Sequence, residues 1–115
     1  MEPLLHMCTT DDWPTASGRE HYRPDSFAAD GFVHLSTPGQ VELPANRLFH
    51  GRDDVLLLVL DPDLLDAPLR WEPGVPTDPA AMRFPHLYGP IPVCAVRRAV
   101  PYRRDAGGRF GTPRL

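Results

Sequence analysis

The chain has no lysine, one isoleucine (Ile91) and two cysteines, Cys8 and Cys94. Without lysine there is no phosphate-loop lysine, no Schiff-base lysine and no serine–lysine dyad. Isolated cysteines with no paired spacing exclude a disulfide framework and a zinc finger. Both are expected as buried thiols in a reducing cytosol, since a free cysteine behaves as a small hydrophobe. No charged stretch followed by an apolar one opens the chain, and the longest apolar run, Val55 to Leu60, is far too short for a bilayer. A cytoplasmic protein without a membrane partner is expected. Internal repeats are also missing.

What is present points to one small domain. The chain has 115 residues, of which 42% are apolar and 23% charged, as in soluble globular proteins. Fifteen prolines predict short elements joined by rigid turns, because each fixes φ and removes a donor. The net charge of −3 is spread unevenly, with eight of the twelve arginines after residue 66. A domain this weakly charged is not expected to bind long nucleic acid. Residues 1–104 are read as the domain and 105–115, with three glycines and few apolar anchors, as a flexible tail.

Periodicity predicts an α+β fold of about six short strands and two or three short helices. Leu4 to Cys8 reads as the first strand and Trp13 to Ala16 as a short helix. In the second strand, Phe32 to Ser36, alternation puts Phe32, His34 and Ser36 on one face and Val33 and Leu35 on the other. Thr37-Pro38-Gly39-Gln40 opens a helix running to Phe49, with a capping box from Thr37 to Gln40 and a kink or two short helices expected from Pro44. The flatly apolar Val55 to Leu60 is expected as a central strand. Leu69 to Glu72 reads as a short strand, His86 to Tyr88 as a brief strand or turn, Gly74 to Arg83 as a mobile loop, and Pro92 to Tyr102 as one last strand.

Histidines carry the candidate chemistry. His6, His34 and His86 each lie in a strand-like setting, whereas His21 and His50 fall in surface turns. Taken singly, a histidine on a strand is more often a satisfied core or interface residue, but three in such settings are less readily all structural. A zinc site from them with Cys8 or Cys94 has the right ligand types but no close pair spacing, so no metal is expected. A Ser36–His34 dyad fails on geometry, since residues two apart on a strand are separated by roughly 7 Å. Glu72 is a candidate general base or hydroxyl acceptor, or else an ion-pair partner of Arg70 or Arg83. Asn46 and Arg47 are candidates for binding an anion, or else solvated helix surface. Tyr22 and Tyr88 can stack on a flat ring or fill the core.

Several of these segments together resemble the family known as domain of unknown function 952. They are Leu4-Leu5-His6, Trp13, Tyr22-Arg23-Pro24, Gly31 to Thr37, Gln40, Asn46-Arg47, Trp71-Glu72 and Phe84 to Gly89. The resemblance runs from about Leu4 to Tyr102. That family is similar in turn to a shortened ADP-ribosyltransferase-like fold with a split β-sheet core, in the branch of NAD-dependent RNA 2′-phosphotransferases. The His34-Leu35-Ser36 segment matches that branch's strand signature. The resemblance implies that NAD or a nucleotide-like ligand is bound, with ADP-ribosyl transfer as the associated activity. It makes His6 and His34 the ribose or nicotinamide contacts. The site expected on these grounds has His34 and Glu72 as catalytic residues and His6, Ser36, Asn46, Arg47, His86 and Tyr88 as binding residues. A non-catalytic ligand-binding or protein-interaction module is the alternative.

Overall fold

The computed structural model describes residues 2–13 and 18–115. Its strands are β1 (Leu4–Thr9), β2 (His21–Tyr22), β3 (Val33–His34), β4 (Val55–Leu60), β5 (Leu69–Pro73), β6 (Arg83–Leu87), β7 (Ile91–Pro92) and β8 (Val96–Pro101). The α-helices among these residues are α1 (Phe27–Asp30) and α2 (Glu42–Leu48). The fold is α+β. The helix expected over Trp13 to Ala16 falls largely outside the described residues. No described helix is long and apolar enough to cross a membrane.

Strands β1, β4 and β8 form one antiparallel sheet with β4 in the middle, as its apolar run requires. Alternation divides that run between two cores. Leu58 and Leu60 join Leu4, Cys8, Tyr22 and Ile91 on one face, and Val55, Leu57 and Val59 join Leu5, Val41 and Ala45 on the other. A second sheet, ordered β3–β6–β5, adds Val33, Leu35 and Leu87 to the first core. The first core thus lies between the sheets, and the second lies between the β4 sheet and α2. Burying a side chain such as Leu57, Leu58 or Leu87 contributes about 1.5–3 kcal/mol each. The two sheets touch through a reciprocal pair of hydrogen bonds between Leu5 and Ser36, at 2.7 and 2.9 Å.

Helix α2 starts later than the sequence suggests. The Thr37 amide donates to Gln40 Oε1 at 3.0 Å, which is one half of the expected capping box. The chain then turns, and helical geometry begins only at Glu42. Pro44 therefore lies in the first helical turn, where an amide would have no intrahelical partner. The expected last strand is also broken. Ile91–Pro92 pairs with β2, Val93–Ala95 forms a 3-10 turn, and Val96–Pro101 pairs with β4. That turn leaves Cys94 exposed while Cys8 is buried, so only one of the two thiols is a core residue.

Residues 105–115 are not the loose end their composition suggests. Phe110 is buried in the second core against Tyr102, with ring centroids 4.8 Å apart. Asn46 clamps it from α2: its Nδ2 donates to the Phe110 carbonyl at 2.8 Å, and its Oδ1 accepts from the Phe110 amide at 2.7 Å. This aromatic anchor and its two backbone bonds, with the Gly51 amide donating to the Gly108 carbonyl at 2.9 Å, hold a segment of few apolar residues.

Candidate functional site

Parity along the second sheet builds the site. Phe32, His34 and Ser36 point away from the first core, as do Phe84 and His86 on β6 and Arg70 and Glu72 on β5. His34 is directly opposite His86 in the β3–β6 pair, and their ring centroids are 5.4 Å apart. Phe32 stacks on His86 at 4.1 Å with an interplanar angle of 15°. This face forms one wall of a mainly apolar cleft of about 590 Å³. His6 and Met7 of β1 form its floor, and Pro44, Arg47 and Phe49 its α2 side. Pro73 to Val75 and Asp78 close the remaining side.

Each imidazole of the cleft has one ring nitrogen held by an oxygen. His6 Nδ1 donates to the His34 carbonyl at 2.9 Å. His6 is only 7% exposed, and burial lowers its pKa to about 4, so the ring is neutral. His34 Nε2 donates to Asp30 Oδ2 at 2.8 Å. Gly31 makes that bond possible: it ends α1 at φ 78°, a left-handed conformation that turns the chain so that Asp30 comes back beside β3. His86 Nδ1 donates to Glu72 Oε1 at 2.9 Å, and the Tyr88 hydroxyl donates to the same oxygen at 2.6 Å. Hydrogen bonds from Tyr88 and then His86 hold the Glu72 carboxyl below the ordinary carboxylate range.

Of the residues singled out from the sequence, the structure brings His6, His34, Ser36, Arg47 and His86 together around the cleft. Three others are placed differently. Glu72 is outside the cleft lining, and its Oε1 accepts from both Tyr88 and His86. Tyr88 is also outside, its ring covered by the Arg70 guanidinium at 5.0 Å. Asn46 bonds Glu42 and Phe110 and is not part of the cleft lining.

Sequence reasoning missed Asp30 and Asp78. Asp30 is four residues before His34, a spacing that hinted at a pair. Asp78 gave no signal, because its partners are remote. Its carboxylate, 6% exposed, accepts from the Val75 amide at 3.0 Å and pairs with Arg47 Nη1 at 3.2 Å. Those bonds dock the 74–83 segment, expected to be mobile, onto α2. Gly74 is needed there, since a Cβ would lie 2.2 Å from Asp78 Oδ2 and 2.7 Å from the Phe84 ring. Among the described residues, no three His, Cys, Asp or Glu side chains are grouped to hold a metal ion.

Fold and site together define a small α+β protein with one histidine-walled, mainly apolar cleft. The profile of the family described as protein of unknown function (DUF952) matches residues 7–99, and the chain belongs to that family. It is similar to protein CC0527 from Caulobacter crescentus. The crystal structure of CC0527 is 28% identical, with 95% of this chain and 93% of that one covered and a TM-score of 0.80. Its solution NMR structure gives 30% identity, 96% and 92% coverage and a TM-score of 0.78. No curated protein matches the chain.

Proposed function

We propose that the cleft binds a nucleotide-like small molecule of the NAD class, with His34 as its principal polar contact. What supports this reading is the convergence of His6, His34, His86 and Ser36 with the Phe32 ring on a single cleft of about 590 Å³. That volume suits a small-molecule site, and an apolar lining with a few oriented polar groups suits a flat base joined to a polyol. Burial keeps His6 neutral, and Asp30 orients the His34 ring, so both imidazoles are set as hydrogen-bonding groups.

ADP-ribosyl transfer is the activity proposed for that ligand. Departure of nicotinamide leaves a cationic ribose that fixed dipoles in the cleft would stabilise. One observation favours the non-catalytic alternative. Asp30 and Asp78 are paired with His34 and Arg47, and Glu72 is outside, so among the described residues no unpaired carboxylate lines the cleft.

Titration with NAD, ADP-ribose and nicotinamide, following the ring resonances of His6 and His34, tests the binding. Perturbation of both rings by NAD is expected, and silence with all three ligands rejects the proposal. Nicotinamide release that is lost in His34→Ala and kept in His50→Ala marks an enzyme; binding without release marks the alternative.

A further inference from the structure

His86 differs from the other imidazoles in what stands behind it. Its Nδ1 meets Glu72, and the same carboxylate oxygen is fixed from the other side by the Tyr88 hydroxyl. A charged carboxylate has no proton to give, so the proton of that bond is on His86 Nδ1. In the neutral form of the ring, the bare lone pair is therefore at Nε2. Phe32, stacked at 4.1 Å, sets the plane of the ring. Nothing among the described residues bonds His86 Nε2, and no polar side-chain atom lining the cleft is sealed from solvent without a partner. His86 lines the cleft while Glu72 and Tyr88 do not, so the relay ends at the ligand side.

We infer that His86 Nε2 is a specificity-determining acceptor for an uncharged donor of the ligand, a hydroxyl or an N–H. Glu72 and Tyr88 are its positioning residues and hold the ring in the Nδ1-protonated form. This rests on the reading of the cleft as a nucleotide-like site and adds which kind of ligand atom meets this wall. An anionic oxygen placed here would face a lone pair with a carboxylate behind it, so phosphate groups belong elsewhere in the cleft. The arrangement follows from register. Arg70 is opposite His86 and Glu72 opposite Phe84, which sets the carboxylate diagonal to the imidazole on the same face.

Nitrogen-15 NMR of the histidine rings in the ligand-free protein at pH 8 reads the tautomer directly. The expected result is Nδ1-protonated His86 in the wild type and in Glu72→Gln, whose amide oxygen accepts the same bond, and loss of that preference in Glu72→Ala. Binding is then measured for adenosine, 2′,3′-dideoxyadenosine and N6,N6-dimethyladenosine. One of the two donor-deleted analogues is expected to bind at least tenfold more weakly than adenosine. In Glu72→Ala, folded by circular dichroism, the gap should shrink below threefold, with Glu72→Gln restoring it. An Nε2-protonated His86 in the wild type, or an unchanged gap in Glu72→Ala, overturns the inference. Failure of NAD and adenosine alike to bind overturns the nucleotide reading alone, because the tautomer is read without ligand.

Discussion

Nδ1 of His6 donates to the main-chain oxygen of His34 across 2.9 Å, so a side chain of β1 straps down the strand that presents the next histidine. The bond itself favours the charged ring, but burial outweighs it and keeps the imidazole neutral. Burial lowers the His6 pKa from 6.5 to about 4. Between those values the unfolded chain holds a proton here that the folded chain does not, so stability falls as the pH falls. The contribution is complete above pH 6.5 and amounts to about 3 kcal/mol across the window, at about 1.4 kcal/mol per pH unit. Urea unfolding at pH 7.5, 5.5 and 4.5 should show this slope in the wild type and a flatter one in His6→Gln. Parallel slopes for the two proteins would contradict it.

Asn46→Ala removes both bonds to Phe110 and leaves that backbone pair without a partner in a half-buried setting. A loss of about 2 kcal/mol is expected, at about 1 kcal/mol per bond. Phe110→Ala should cost more, about 3–5 kcal/mol, because it empties a core position. Both variants should expose residues 105–115 to limited proteolysis at protease levels that leave the wild type intact. Resistance of Asn46→Ala would show that the clamp is unimportant.

At Gly74 the added methyl of an alanine would overlap the Asp78 carboxylate and the buried Phe84 ring. Overpacking of this kind costs about 1–3 kcal/mol. Asp78 is the more easily displaced of the two, so its bonds to Val75 and Arg47 should break first. The predicted signature is movement of the Val75 amide resonance in Gly74→Ala, with the β1–β4 resonances unchanged.

Arg47→Ala leaves the 6%-exposed Asp78 carboxylate with the Val75 amide but no cation. A loss of about 1–3 kcal/mol is expected for a hydrogen bond between charged groups. Asp78→Asn combined with Arg47→Ala should be milder than Arg47→Ala alone, because no uncompensated charge is left behind. Thermal unfolding of the two single variants and the double variant checks this; strict additivity would contradict it.

Local pattern carried much of this architecture. The flat apolar run Val55 to Leu60 read as a central strand and is one, covered on both sides, and alternation put Phe32, His34 and Ser36 on one face. Partners were harder to read than faces. Parity places Glu72 on a face, but only the register of β5 with β6 places it beside His86 instead of beside a ligand. The break at Val93 to Ala95 was masked because Val, Cys and Ala alternate as readily in a strand as they fit a turn. Phe110 and Asp78 escaped notice for one reason: each is fixed by contacts remote in sequence, Phe110 with Asn46 and Asp78 with Arg47.

The paired hydrogen bonds of Leu5 and Ser36 are the joint between the two sheets, and both residues border the cleft. A guest wider than the resting opening must pry the sheets apart there, loading that joint like a hinge pin. Deuterium uptake at these two amides would therefore gauge how far any occupant spreads the walls, before its chemistry is known.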